Sequence, residues 1–133
     1  MCENRIIVNA TLPLKPKAWE RTEGKVVRYM PASQRSYYYA LYAEMVTAGM
    51  HPLAKGKEYG IEIRFYRKDH RLLDCDNVLK AFLDAGQPSN WVNPKIDVGY
   101  VDLWNDKVFG ETHTYRNYGA AEDKIRVLIW RLN

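Results

Sequence analysis

Apolar and polar residues alternate from Ile6 to Leu14, with Ile6, Val8, Ala10 and Leu12 in phase, which predicts a first strand. The alternation stops at Lys15. From there to Met30 the chain is polar, basic and broken by Pro16 and Gly24, and reads as a long loop or short ribbon. Pro31 then opens a helix at the position where its missing N–H costs nothing. Tyr38, Leu41, Tyr42 and Met45 recur at i, i+3, i+4 and i+7, so this helix should run to about Ala48 and stop at Gly49. Tyr59 to Tyr66 predicts a second strand, with Ile61, Ile63 and Phe65 on one face and Glu62 and Arg64 on a wetter one. A second helix is expected from about Asp76 to Ala85, ended by Gly86 and burying Val78, Leu79, Phe82 and Leu83. Gln87 to Leu103 is irregular, with Pro88, Asn90, Asn93 and Pro94. Val108 to Tyr115 and Ile125 to Leu132 read as the last two strands, joined by a turn or short helical piece over Asn117 to Asp123. The order β-α-β-α-β-β predicts a small α+β fold, a mixed sheet of about four strands with two main helices.

Length adds that residues 1–133 form one domain. No run of about 18 apolar residues exists to span a membrane. MCENRIIVNA lacks the basic-then-apolar pattern of a signal peptide. Cys2 and Cys75 make neither a disulfide framework nor a zinc-binding CxxC pair, so a cytoplasmic protein with free thiols is expected.

Charge changes the picture by its distribution more than by its total of +4. Lys15 to Arg35 carries six bases (Lys15, Lys17, Arg21, Lys25, Arg28, Arg35) against Glu20 and Glu23, and Arg64 to Arg71 carries four against Asp69. Between Asp74 and Asp106 the sign reverses, with six Asp against Lys80 and Lys95. Two basic segments around an acidic one suit a metal-dependent enzyme acting on a polyanion, because bases hold phosphates and acids hold a cation. A solvated surface with clustered charges has the same sequence signature.

The chemistry concentrates in Asp74-Cys75-Asp76-Asn77-Val78-Leu79-Lys80. Two carboxylates two residues apart, at the mouth of a helix, face one way and repel unless a cation lies between them. Mg²⁺ prefers oxygen ligands and keeps several waters. Within the helix, Asp76, Lys80 and Asp84 share a face, which places Lys80 to steady an anionic transition state. The structural alternative makes Asp76 an N-cap and Lys80 its i,i+4 partner. Cys75 reads as a small core residue. The Tyr37-Tyr38-Tyr39 run could stack bases, but its helical spacing favours core for Tyr38 and Tyr42. Trp91 and Trp104 are either loop core or apolar wedges that open a junction.

DxDNxxK, after a basic turn and before a short amphipathic helix, resembles the RusA-type Holliday junction resolvases of bacteria and their phages. The surroundings agree: a first strand ending in Thr11-Leu12-Pro13, the basic run RFYRKDHRLLDCDN, the step Asn105-Asp106-Lys107-Val108 into a strand, and a last strand IRVLIWRL. The resemblance covers nearly the whole chain. It implies Asp74, Asp76 and Asp106 as catalytic, metal-binding carboxylates, Lys80 as the catalytic lysine, and Asn77 as a motif residue that positions the acids. It implies phosphate contacts from Arg67, Lys68 and Arg71, and from Arg21, Lys25, Arg28 and Arg35. Two departures stand out. The connection from Ala85 to Asn105 is longer than the family usually has, and offers Asp97 and Asp102 as rival third ligands. Asn105-Asp106 replaces the usual paired acids, with Val108 where a Gln is common.

The activity implied is Mg²⁺-dependent nicking of a four-way DNA junction in two strands of like polarity, with Mn²⁺ as a substitute ion. The partners implied are branched DNA and a second copy of the chain in a C2 homodimer, inside a bacterial or phage-infected cell. Two alternatives are a non-catalytic basic DNA-binding protein of this fold, and a Mg²⁺-dependent nuclease acting on flaps or RNA.

Overall fold

A computed structural model of the chain describes residues 5–18, 32–93 and 98–132. Arg21, Lys25, Arg28, Pro31 and Asp97 lie outside the described residues, so the readings placed on them are not addressed below.

The elements are β1 (Arg5–Leu12), α1 (Ala32–Thr47), β2 (Tyr59–Arg67), α2 (Cys75–Ala85), β3 (Phe109–Tyr118) and β4 (Lys124–Arg131). They form the expected α+β arrangement: one four-stranded mixed sheet, in the order β1-β4-β2-β3, with two helices. β4 is antiparallel to both β1 and β2, whereas β2 and β3 are parallel. A parallel pair cannot close through a tight turn. α2 and the long loop after it supply the crossover, and this connection carries the candidate residues Asp76, Lys80 and Asp106.

β2 and β4 form the centre of the core. Ile61 pairs with Ile129, Ile63 with Val127 and Phe65 with Ile125, all fully buried on the face that takes the helices. α1 adds Tyr38, Leu41, Tyr42 and Met45, as its spacing predicts, together with Tyr37. Glu62 and Arg64, on the other face of β2, are half-buried.

Four local expectations are corrected. Ile6 does not share a face with Val8, Ala10 and Leu12: a bulge between Ile6 and Val8 shifts the phase and leaves Ile6 58% exposed. α2 buries Val78, Ala81, Phe82 and Ala85, while Leu79 and Leu83 are only half-buried. The small alanines face inward because α1 packs closely there, and the leucines turn to the wall of a surface depression. β3 starts at Phe109 and continues to Tyr118, two residues into the expected turn, because its parallel ladder with β2 extends to the Arg67–Tyr118 pair. The irregular stretch contains a short 3-10 turn at Pro88–Asn90, and a second one at Asp106–Val108 leads into β3.

Candidate functional site

Asp74, and not Asp76, caps α2. Its backbone is extended, and its Oδ1 accepts from the amides of Asp76 (2.9 Å) and Asn77 (3.3 Å). Those amides have no partner inside the helix, so a carboxylate there satisfies donors and opposes the positive end of the helix dipole. Both bonds use Oδ1, and Oδ2 takes no part in the cap. Cys75, expected in the core, is half-buried, because it sits at the first helical position beside the cap.

On the flank of α2 a depression of about 260 Å³ is lined by Asp76, Leu79, Lys80, Leu83, Asp84 and Asp106. Helical spacing accounts for the first five. Asp106 comes from far along the chain, and the loop's own packing carries it there. Trp91 and Trp104, both buried, donate their indole N–H groups to the last-turn carbonyls of α2: Nε1 of Trp104 to Leu83 O (2.9 Å) and Nε1 of Trp91 to Asp84 O (3.0 Å). They are core; Trp104 also supplies a donor to the Leu83 carbonyl at the helix C-terminus, and Trp91 adds a second donor to the Asp84 carbonyl, which already accepts from the Gln87 amide. The Trp104 ring stacks on Phe82 with centroids 5.8 Å apart and fills the notch above Gly86. At the next residue the Asn105 side chain caps the 3-10 turn that holds Asp106, accepting from the Lys107 amide at 3.0 Å. The rival ligand Asp102 accepts instead from the amide (2.9 Å) and hydroxyl (2.7 Å) of Ser89.

The tyrosines of α1 serve the same purpose. Tyr42 Oη donates to Val101 O at 2.8 Å and accepts from the Val101 amide, pinning the loop. Tyr39 and Trp91 meet edge to face at 4.8 Å. Tyr38 Oη donates to Asp84 Oδ2 at 3.4 Å. Burial pushes the Tyr37 and Tyr38 hydroxyls well above the ordinary phenol range, so both remain protonated donors.

Asp84 is the acid that sequence reasoning did not promote, although its place on the Asp76–Lys80 face was visible. Burial raises its carboxyl above the usual carboxylate range, Lys80 and the Tyr38 hydroxyl pull it back, and the charge of Asp106 pushes it up again. Lys80 and Asp106 therefore lie within electrostatic reach of Asp84 across this depression.

A second cleft, of about 470 Å³, is lined by Lys15, Lys17, Ala18, Arg67, Arg71, Leu72, Leu73 and Asp74. Asp74 borders this cleft and Asp76 the depression, so the N-terminal turn of α2 stands between a basic concavity and an acidic one. Of the expected phosphate contacts, Arg35, Lys68 and Arg71 are exposed. Arg67 is only 5% exposed, with its guanidinium bonded to Pro16 O (2.9 Å) and Asp69 Oδ2 (2.8 Å). That guanidinium holds the Asp69 carboxyl below the usual range, with the Arg71 amide adding to the effect.

The structure thus brings together Asp76, Lys80 and Asp106, adds Asp84, and places Asp74 on the neighbouring cleft. Among the described residues no three acidic, histidine or cysteine side chains are already arranged to hold a metal ion. Mg²⁺ seldom uses an all-protein cage: one or two carboxylates with substrate phosphate and water suffice. The Asp76 and Asp106 pair has the right chemistry for that role. No helix among the described residues is long and apolar enough to cross a membrane. Comparison with protein-family models and with characterised proteins yields no match.

Proposed function

We propose that the chain is a Mg²⁺-dependent endodeoxyribonuclease of RusA type that resolves four-way DNA junctions by paired symmetric nicks, in recombination and repair. The observation that supports this most is the meeting of Asp76, Lys80 and Asp106 in one depression, beside a cleft lined by Lys15, Lys17, Arg67 and Arg71. Acids and a lysine alone would suit many sites. A basic concavity one helical turn away narrows the substrate to a polyanion.

Asp76 and Asp106 would hold Mg²⁺, or Mn²⁺ in its place, with Asp74 Oδ2 as a further oxygen donor at the lip of the basic cleft. The ion supplies Lewis acidity at the scissile phosphate and an acidified water. The carboxylates keep the cation within a surface that would otherwise repel it. Lys80, one turn along α2, compensates the charge that develops on the phosphate during in-line displacement. The products are a 5′-phosphate and a 3′-hydroxyl. Asn77 and its neighbour Asp76 both direct backbone N–H groups at Asp74, so the motif orients its own acids. A junction has approximate two-fold symmetry and two nicks need two sites, so the working form is a C2 homodimer in a bacterial or phage-infected cytoplasm.

Replacing Asp106 by Asn tests the reading, since it removes a ligand charge and keeps size. Junction binding in EDTA should persist while Mg²⁺-dependent nicking drops by at least a hundredfold. Undiminished nicking would remove Asp106 from the site. A second reading, a junction-binding protein of this fold that does not cut, is favoured by the absence of a ready three-carboxylate set among the described residues. Binding without nicking in the parent protein would establish it.

A further inference from the structure

The position of Arg67 gives it a task other than direct phosphate contact. Its Nη1 donates to Pro16 O and its Nη2 to Asp69 Oδ2, both within 2.9 Å, so the end of β2 is tied to the segment that follows β1. Tyr37 holds the same segment from α1: its hydroxyl donates to Lys15 O at 2.8 Å and accepts from the Lys17 amide at 3.2 Å. Fixed on both sides of Pro16, Lys15 and Lys17 line the cleft together with Arg71. The attachments of their ammonium groups are weak. Lys15 meets Asp69 at 3.8 Å with both side chains about half exposed, and Lys17 lies 5.5 Å from the Tyr37 ring centroid. Arg67 itself lines this cleft, and its buried Nε has no hydrogen-bond partner among the described residues.

We infer that this cleft is a subsite for a backbone phosphate of the nucleic acid, flanking the phosphate at the Asp76–Asp106 depression. Lys15, Lys17 and Arg71 make the contacts, and Arg67 is the positioning residue that builds the cleft. The inference deepens the proposed function and rests on it for the identity of the ligand. A rigid cleft between β1, β2 and the start of α2 would fix the register of the strand relative to the acids, which loose surface lysines could not do.

The test is binding of the full-length chain to a synthetic four-way junction in EDTA, across a series of salt concentrations. Lys15→Gln combined with Lys17→Gln should weaken binding about tenfold near 0.1 M salt, and flatten the log–log salt slope by about 1 per lysine. Unchanged affinity and slope would overturn the subsite. Arg67→Lys keeps the charge but cannot span both acceptors. It should cause a similar loss while thermal unfolding shows a folded chain, and full binding would overturn its positioning role. If that variant does not fold, the exposed lysine pair decides the question alone. Titration with inorganic phosphate separates the sources of the anion: millimolar binding abolished in the lysine variant, with junction affinity unchanged, would replace the strand by a free phosphate. Because no Mg²⁺ is present, the outcome is separate from nicking. A parent that never nicks but shows the lysine effect refutes the nuclease reading alone; a parent that nicks with no lysine effect refutes the subsite alone.

Discussion

Gly86→Ala is the perturbation through which the fold and the site can be tested together. Gly86 has φ −75°, an ordinary helical value, so its backbone does not require glycine. Judged by propensity and unfolded-state entropy, alanine there should stabilise by about 0.4–1 kcal/mol. The structure reverses the sign. A Cβ on residue 86 would lie 2.1 Å from the Trp104 ring, against an ordinary contact of 3.4 Å or more, so the indole must retreat by over an ångström. Retreat strains or breaks the Trp104 Nε1 bond to Leu83 O and the stack on Phe82. A neutral hydrogen bond is worth about 1 kcal/mol and an aromatic pair about 0.5–1.5 kcal/mol. Subtracting the propensity gain leaves a net destabilisation of roughly 0.5–2 kcal/mol, overlapping the usual range for overpacking. Urea unfolding should show it as a lower midpoint at unchanged slope. Trp104 leads directly to Asn105 and Asp106, so nicking should fall as well. In a Gly86→Ala/Trp104→Leu pair the new methyl has room, and a double-mutant cycle should give a coupling of about 1 kcal/mol or more. A Gly86→Ala protein as stable as the parent, or more so, would refute the claim that this notch seats Trp104 and thereby sets Asp106.

Three further perturbations separate structural from chemical roles. Asp74→Ala should cost about 0.5–2 kcal/mol through loss of the helix cap, whereas Asp74→Ser restores most of that stability in urea melts; if Ser also restores nicking, Asp74 acts only as a cap. The raised carboxyl of Asp84 means the folded state holds a proton more tightly than the unfolded chain, so this group's contribution declines as pH rises from the usual carboxylate range through the raised value. Asp84→Asn should therefore flatten that part of the stability–pH curve, and an unaltered curve would contradict the buried setting of Asp84. Asp69 has the opposite sign: its lowered carboxyl contributes above the ordinary range and loses that contribution as pH falls through the lowered value. Asp69→Asn should leave junction binding at low pH close to that of the parent, and a large loss there would show a role for Asp69 beyond its pairing with Arg67.

Much of the fold was legible because β2, β4 and α1 bury continuous faces, and burial writes itself into periodicity. Ile61, Ile63 and Phe65 announced β2, and Tyr38, Leu41, Tyr42 and Met45 announced α1. Phase failed where the backbone departs from regularity, as at the bulge that turns Ile6 outward. Leu79 and Leu83 were misassigned because a helix packed closely against a neighbour buries its alanines first. In the site, the Asp76–Lys80–Asp84 face followed from helical spacing, while the structural alternative placed the cap at Asp76, two residues late, because both Asp residues of the motif are good N-caps by type. The roles of Trp91 and Trp104 as donors to α2, and of Asp102 as a partner of Ser89, depend on contacts between distant segments that no local pattern encodes. Arg67 shows the same limit: its charge was visible, but its burial against Pro16 was not.

The most direct test of the central claim is incubation of the protein with a labelled synthetic four-way junction, in Mg²⁺ or in EDTA, beside linear duplex and flap controls. Paired nicks in strands of like polarity, confined to the junction and abolished by EDTA, are the result this account requires. Cleavage of flap or duplex in preference to the junction, or tight junction binding with no nick in Mg²⁺, would contradict it.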